Sequence, residues 1–279
     1  MTAPAPLYTR HDVDGVHVAM VGEPDAPRKV LLFMGMRACI DPIEMRRCAL
    51  LAEQWGARII VSDLPGCGLG ASRLTKQDRV ALRRGRFHSI SRRMVRSAQE
   101  VNPLLRQTPT TVVGYSLGAS LAAAAAADAG LLNVDQLLLV EPVAVRRRNP
   151  LQLLRVVHVE DRATPAAVEQ PSSGCSDAPI RADLARLGWA LSRGLLAADI
   201  LSASHFQDFS VQLAHGRSSR LCTQRDTDRI LRILRRSNVD ACDLPVAGRH
   251  GLWHSMPAVA ALAQLAAQHW RDAACVATS

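Results

Sequence analysis

The stretch "VVGYSLGASLAAAAAA", from Val112 to Ala127, is the part of the sequence that says most about the fold. Its first residues are β-branched and apolar, as in a buried strand, whereas its last residues are mostly alanine, the best helix former. Ser116 lies at the junction, with Gly114 and Gly118 two residues to either side. A tight turn that brings a helix against a strand leaves room only for very small side chains. The stretch therefore predicts a strand, a sharp turn at a serine, and a helix.

Short apolar runs alternate with helical stretches on both sides of this turn. Strands are predicted at VHVAMV (16–21), KVLLFMG (29–35), ARIIVSDLPG (57–66), TTVV (110–113), QLLLVEP (136–142), FSVQLAHG (209–216) and ACDLPVAG (241–248). Helices are predicted at PIEMRRCALLAEQWG (42–56), SISRRMVRSAQEVNPLL (89–105), the alanine-rich stretch after the serine, TQRDTDRILRILRR (223–236) and PAVAALAQLAAQHW (257–270). This alternation predicts the α/β class, with a doubly wound and mainly parallel sheet.

One segment, residues 146–208, interrupts the alternation. It opens with RRRNP, contains the loop-like EQPSSGCSDAP (169–179) and continues with IRADLARLGWALSRGLLAADIL (180–201), which is helical in character. We predict a core formed by residues 1–145 and 209–279, with 146–208 inserted as a helical cap over the sheet. The basic, amphipathic start of the insertion (146–159) fits a cap helix that buries one face, and also a helix that touches an anionic lipid surface.

Composition narrows the classes of partner and location. Lys+Arg 34 against Asp+Glu 25 gives a net charge of +9, which suits nucleic acid, anionic lipid or an acidic substrate, or reflects a general preference for arginine. Aromatic residues make up only 4% of the chain, which leaves little surface for stacking bases and disfavours nucleic acid. No secretory signal or membrane span is visible, and the seven cysteines are scattered. Reduced thiols and a cytoplasmic location are therefore predicted.

Motifs for cofactors are weak in this sequence. The stretch GCGLG (66–70) has no third glycine at the spacing that dinucleotide binding needs. No lysine follows a glycine-rich loop as in phosphate-binding loops, and no cluster has the spacing of zinc ligands. We expect a protein that works without a cofactor or a metal. The sequence leaves its oligomeric state open.

The turn at Ser116 and two further stretches carry a family resemblance. A serine between small residues on a strand-to-helix turn is the nucleophile elbow, although the same pattern also suits a packing turn with an incidental serine. The stretches VSDLPGCGLGASR (61–73) and LPVAGRHGLWHSMP (244–257) resemble the aspartate–glycine loop and the histidine loop of α/β-hydrolases. Over nearly its whole length the chain resembles this superfamily, which includes serine esterases, lipases and thioesterases. The resemblance implies Ser116 as nucleophile and an insertion at the position of the family's cap.

The resemblance also assigns the base and the oxyanion hole. It places the catalytic histidine at His250, although His254 would face the same cleft if the loop turned helical early. Two backbone N–H groups hold the oxyanion in the family, and they correspond here to Leu117 and Met36. Many members have a histidine before the glycine of the second loop, where this chain has Met34.

The acid of the triad is where the chain departs from the family pattern. The family usually has an aspartate after the penultimate strand, where this chain has Ser219 in HGRSSRLC. Some members, including many haloalkane dehalogenases, carry the acid one strand earlier, and Glu141 stands at that place. Two alternatives are Asp226 and Asp228, which belong to the following helix. Glu141 would instead be structural if it paired with an arginine of 146–148, and Asp63 is interpreted as structural, tying down its glycine-rich loop.

Two functions follow from this pattern. In the first, the protein is a serine hydrolase, of carboxylic ester hydrolase or thioesterase type, that cleaves a small-molecule ester or thioester. In the second, it keeps the hydrolase fold for binding or structure, because the usual aspartate and histidine are replaced. The two differ in geometry: catalysis needs the His250 imidazole within about 3 Å of Ser116 Oγ.

Overall fold

The computed structural model describes residues 8–36, 38–67, 72–163 and 181–277, which fold around one sheet. The strands in this part of the chain are β1 (Thr9–Val13), β2 (Val16–Val21), β3 (Arg28–Phe33), β4 (Ala57–Ser62), β5 (Thr110–Tyr115), β6 (Val134–Val140), β7 (Ser210–Gly216) and β8 (Ala241–Val246). The helices are α1 (Pro42–Trp55), α2 (Lys76–Arg83), α3 (His88–Val101), α4 (Leu117–Ala126), α5 (Pro150–Ala163), α6 (Arg181–Ser192), α7 (Leu196–Ala203), α8 (Gln224–Arg236) and α9 (Met256–Ala277). Short 3₁₀ turns occupy Pro103–Arg106 and His250–His254.

The strands are ordered β1-β2-β4-β3-β5-β6-β7-β8. The six strands from β3 to β8 run parallel, while β1 and β2 form an antiparallel edge. Helices α1 and α9 pack together on one face, and α3, α4 and α8 contribute to the apolar cluster on the other. The predicted doubly wound, mainly parallel sheet is confirmed. Because parallel strands end at one edge, the loops after β3, β5, β6, β7 and β8 meet there.

Most predicted elements form, and two were missed. Strand β1 reads TRHDV and is almost entirely exposed, so it has no apolar alternation to reveal it. Helix α2 has only eight residues, but its start carries a signal: Thr75 and Asp78 form a reciprocal capping box. The predicted helix of 42–56 is observed as α1, which ends at Gly56 in a left-handed conformation (φ 55°).

The described part of the 146–208 insertion is helical. Helix α6 packs against α5 and α2, and α7 packs against α4. The single helical stretch predicted at 180–201 is broken at Gly194, whose φ of 66° and close approach to the backbone of Arg146 and Arg147 exclude a side chain. The predicted loop 169–179 lies outside the described residues. That the insertion forms a cap stays a prediction.

The cysteines depart from the expectation in one respect. Cys48, Cys222 and Cys242 are free thiols, but Cys39 is disulfide-bonded, so the prediction of reduced thiols is wrong for that residue. Scattered spacing could not reveal this, because a disulfide depends on distance in the fold.

Among the helices described, none is both long and apolar enough to cross a membrane, and no group of described side chains could hold a metal ion.

Candidate active site

The two glycines beside Ser116 are required by close backbone approach. A Cβ on Gly114 would lie 2.6 Å from the carbonyl carbon of Gly118 and 2.7 Å from Cα of Ala119. A Cβ on Gly118 would overlap the carbonyl oxygen of Phe33 and lie 2.7 Å from that of Met34. Helix α4 therefore lies directly on the end of β3, and the turn between β5 and α4 is correspondingly sharp.

The serine itself is held in a strained conformation. Ser116 has φ 56° and ψ −114°, a region that residues other than glycine rarely adopt. It occupies the N-cap position of α4, where a serine usually bonds to its own helix, yet its side chain makes no capping hydrogen bond. The Oγ atom instead lies 3.0 Å from Nε2 of His250. The turn thus presents the hydroxyl to the histidine.

His250 begins the 3₁₀ turn that follows β8. Its ring faces Ser116 through Nε2, and its Nδ1 lies 2.8 Å from Oε2 of Glu141. The Tyr115 hydroxyl donates to the His250 carbonyl at 3.1 Å, and the two rings stack with centroids 5.8 Å apart. Burial raises the pKa of Tyr115 well above its ordinary value, so this hydroxyl stays a donor. Backbone and ring of His250 are therefore both fixed.

Glu141 is completely buried at the end of β6, and its φ of 51° lies in the left-handed region. Besides His250, Oε2 accepts a hydrogen bond from the Ser219 hydroxyl at 2.7 Å, and Oε1 accepts one from the N–H of Gly216. Both carboxylate oxygens of Glu141 are therefore held by hydrogen bonds. Ser219, the residue at the family's usual acid position, is thus a hydrogen-bond partner of Glu141.

The alternative acids lie elsewhere. Asp226 completes the capping box of α8 and pairs with Arg146 and Arg148, each at 3.2 Å. In the structural interpretation of Glu141, this glutamate would pair with an arginine of 146–148, but Arg146 and Arg148 pair with Asp226 instead. Asp228 lies on the same helix and accepts from Gln224.

Asp63 bonds to two segments that lie outside its own glycine-rich loop. Its Oδ1 accepts from the N–H of Ile40 at 2.7 Å, and its Oδ2 lies 3.1 Å from Nδ1 of His17. Asp63 therefore holds the loop before α1. Residues 68–71 of its glycine-rich loop lie outside the described residues, so that Asp63 ties down that loop stays a prediction.

The two residues predicted for the oxyanion hole lie directly after Ser116 and in the loop after β3. Leu117 is the first residue of α4. At this end of a helix the N–H groups have no acceptor within the helix, and the helix dipole contributes a partial positive charge. Met36 follows Gly35, and a Cβ on Gly35 would lie 2.8 Å from the ring of Tyr115 and 3.4 Å from Cβ of Ser116. The loop after β3 therefore runs against the elbow. Met34, at the position of the family's histidine, is fully buried in the apolar core.

The buried carboxylate of Glu44 bonds to Trp253, which lies in the loop that carries His250. The indole of Trp253 stacks on Tyr115 at 5.1 Å and donates to Oε2 of Glu44 at 2.9 Å. Burial raises the pKa of Glu44, although the nearby Arg47 opposes the shift. This contact joins α1 to the loop that carries His250.

His254, the alternative base, is not paired with Ser116 in this arrangement. It meets the edge of the Tyr115 ring at 6.1 Å. Burial, with the positive charge of Arg47 and of His250, lowers the pKa of His254 to about 4. Unfolded, it would take up a proton near its ordinary pKa of 6.5. The unfolded state therefore binds more protons between these values, and the fold loses stability as the pH falls from 6.5 towards 4.

We expect His254→Gln to remove this acid sensitivity. The wild-type free energy of unfolding should fall by about 2 kcal/mol more than that of the variant between pH 7.5 and 4.5. Urea unfolding at the two pH values measures this. His158→Gln, at an exposed histidine of α5, is the control and should follow the wild type. If the free energy of unfolding fell equally in the wild type and in His254→Gln, acid sensitivity would not arise from His254.

Three supporting residues were not predicted in these roles. Tyr115 and Gly216 contact the site through a hydroxyl and a backbone N–H, and Glu160 of α5 does so from the insertion. Tyr115 is adjacent to the serine, so its position in the motif was a usable signal. Glu160 lies about 90 residues before the histidine it contacts, and no local pattern marks it.

Comparison with known proteins agrees with this fold. The family model of the α/β hydrolase fold matches residues 44–176. The match covers just under half of the chain, and together with the sheet order and the serine elbow it shows the α/β hydrolase fold. A comparison with curated protein sequences finds no match.

Several solved structures share the fold over nearly their full length. A thioesterase domain from the curacin biosynthetic pathway is 21% identical, with a TM-score of 0.61 over 92% of this chain and 98% of that one. A serine hydrolase from the polyaromatic hydrocarbon-degrading bacterium Cycloclasticus zankles is 12% identical, with a TM-score of 0.67 over 95% and 97%. A lipase in its open form is 14% identical, with a TM-score of 0.65 over 92% and 96%. At these identities the likeness concerns the fold.

Proposed function

We propose that the protein is a serine hydrolase in which Ser116, His250 and Glu141 form the catalytic triad. The observation that carries the proposal is the continuous line from Ser116 Oγ to Nε2 (3.0 Å) and from Nδ1 to Glu141 Oε2 (2.8 Å). A serine hydroxyl needs a base within this reach, and the base needs a group that fixes its ring. The order of the three residues along the chain, serine, acid, histidine, is that of the fold family.

The reaction follows from these positions. Ser116 Oγ attacks an acyl carbonyl carbon while its proton passes to Nε2 of His250, and the imidazolium is stabilised by Glu141. The oxygen that becomes negative is held by the backbone N–H groups of Leu117 and Met36. The histidine then gives the proton to the leaving alcohol or thiol. Water, activated by His250, releases the acid from the acyl-enzyme.

An ester or thioester is the substrate class we propose. These bonds carry a carbonyl and a good leaving group, which is what a nucleophilic serine and an oxyanion hole act on. A thioesterase domain, a serine hydrolase and a lipase occur among the proteins of similar fold, which is consistent with this class. A panel of nitrophenyl esters of increasing acyl length would measure activity and the depth of the acyl pocket together.

A fluorophosphonate probe should label the wild-type protein on Ser116, because an activated serine attacks the phosphorus. Ser116→Ala should abolish the label, since the nucleophile is gone. Gel fluorescence and peptide mass spectrometry measure both results. Ser120→Ala, a buried serine of α4 one turn further along, is the matched control and should keep the label. A label that persisted in Ser116→Ala would remove this residue from the mechanism.

The alternative, a protein that binds without catalysing, predicts a histidine turned away from the serine. The separation of 3.0 Å between Ser116 and His250 argues against it. The replacement of the family's usual aspartate by Ser219 no longer favours it either, because Glu141 supplies a buried carboxylate to the same histidine.

A further inference from the structure

Glu160 is a second buried carboxylate beside the histidine, and it comes from the insertion. It lies on α5 and is only 1% exposed. Its Oε2 accepts from the backbone N–H of His250 at 3.3 Å, and its Oε1 accepts from the backbone N–H of Arg220 at 2.8 Å. A carboxylate is costly to bury unless its oxygens are hydrogen-bonded, so these two contacts help to account for its position.

The two N–H groups belong to different loops, which follow β7 and β8. Arg220 is adjacent to Ser219, the hydroxyl partner of Glu141. The same loops also meet at their bases, since a Cβ on Gly216 would lie 2.7 Å from the carbonyl oxygen of Gly248. Glu160 thus spans the junction of the loop that supports the acid and the loop that carries the base.

The contacts form a closed ring. Glu160 holds the backbone of His250, and the ring of His250 bonds to Glu141. Glu141 accepts from Ser219, and the peptide after Ser219 brings the N–H of Arg220 back to Glu160. Two carboxylates therefore fix the histidine, one through its imidazole and the other through its main chain.

We infer that Glu160 is a positioning residue for His250, through which helix α5 of the insertion sets the geometry of the triad. This inference depends on the proposed function, because a histidine needs such precision only if it transfers a proton. A displacement of about 1 Å in a catalytic group costs on the order of a hundredfold in rate. Losing an acceptor shared by two loops allows a displacement of this kind, since the backbone of His250 then loses one of its constraints.

Glu160→Gln tests the inference with little change in shape. The amide keeps one acceptor oxygen but turns its NH₂ towards the other backbone N–H, so one loop is released. We expect the rate of fluorophosphonate labelling to fall by about ten- to a hundredfold, with the label still on Ser116. Asp183→Asn is the matched control, because Asp183 is an equally buried carboxylate of the insertion that pairs with Arg186 and Arg79. It should label within threefold of wild type.

A spectroscopic readout separates positioning from general loss of stability. The proton between His250 Nδ1 and Glu141 should give a low-field proton resonance in the wild type, which Glu141→Gln identifies by removing it. In Glu160→Gln this resonance should broaden or disappear, whereas in Asp183→Asn it should persist. If the wild type were not labelled at all, the proposed function would fail, and the resonance would still test the position of the ring.

Amide hydrogen exchange on the wild-type protein tests the contacts even if the variant does not fold. Both the His250 and the Arg220 amides should be protected, because each donates to the buried Glu160 carboxylate. Fast exchange at both amides, or a Glu160→Gln variant with unchanged labelling rate and unchanged resonance, would overturn the inference.

Discussion

Replacing Glu141 by glutamine should lower turnover by about two to four orders of magnitude while the protein stays folded. The expectation is scaled from the loss of the triad aspartate in serine proteases, which costs about four orders. The amide keeps the size of the side chain but removes the charge that stabilises the imidazolium, and it can present an NH₂ to His250 Nδ1. The turnover of a nitrophenyl ester, or the labelling rate if no ester of the panel is cleaved, measures the effect.

Ser219 provides the control for this experiment. Ser219→Ala removes one hydrogen bond to Glu141 but leaves the carboxylate, so turnover should fall by less than about tenfold. In the Glu141→Gln background, Ser219→Asp returns a carboxylate to the family's usual position and should recover part of the loss. A Glu141→Gln variant with wild-type turnover and melting temperature would contradict the proposal that Glu141 is the acid of the triad. Activity would then depend on a Ser116–His250 dyad.

The fold could be predicted because its elements are marked locally. The apolar run of β5, the glycine pair and the alanine-rich α4 each follow from the preferences of a few neighbouring residues. Strand β1 could not be found this way. It is polar and exposed, and it forms only because β2 offers it a free edge.

The residues of the candidate site also differ in how far local sequence marks them. Ser116 and His250 lie in motifs, and Glu141 could be named because the family uses two acid positions. The partners of Glu141 could not be named from spacing, because the Ser219 hydroxyl and the Gly216 N–H reach it only when the ends of β6 and β7 lie side by side. The burial of Glu160 beside His250 could not be predicted either, since an isolated glutamate on an amphipathic helix is usually solvated.

The closest packing in the site lies at Gly118, where helix α4 meets strand β3. The carbonyl groups of Phe33 and Met34 occupy the space that a Cβ would need. These are backbone atoms of a central strand and its end, so they cannot turn aside as a flexible side chain would. Gly188 offers the opposite case: it lies within α6, and nothing stands within 4 Å of the position of its Cβ.

Gly118→Ala and Gly188→Ala should therefore change stability in opposite directions, although both add one methyl group to a helix. Gly118→Ala should lower the free energy of unfolding by about 3 kcal/mol or more, because α4 must move off β3, and it should also slow labelling of Ser116. Gly188→Ala should raise the free energy of unfolding by about 0.5–1 kcal/mol, since alanine is the better helix former and meets no obstacle. Urea unfolding of the three proteins measures both shifts. If Gly118→Ala were as stable as wild type, α4 could not lie as close to β3 as the elbow requires, and the strained turn at Ser116 would lose its cause.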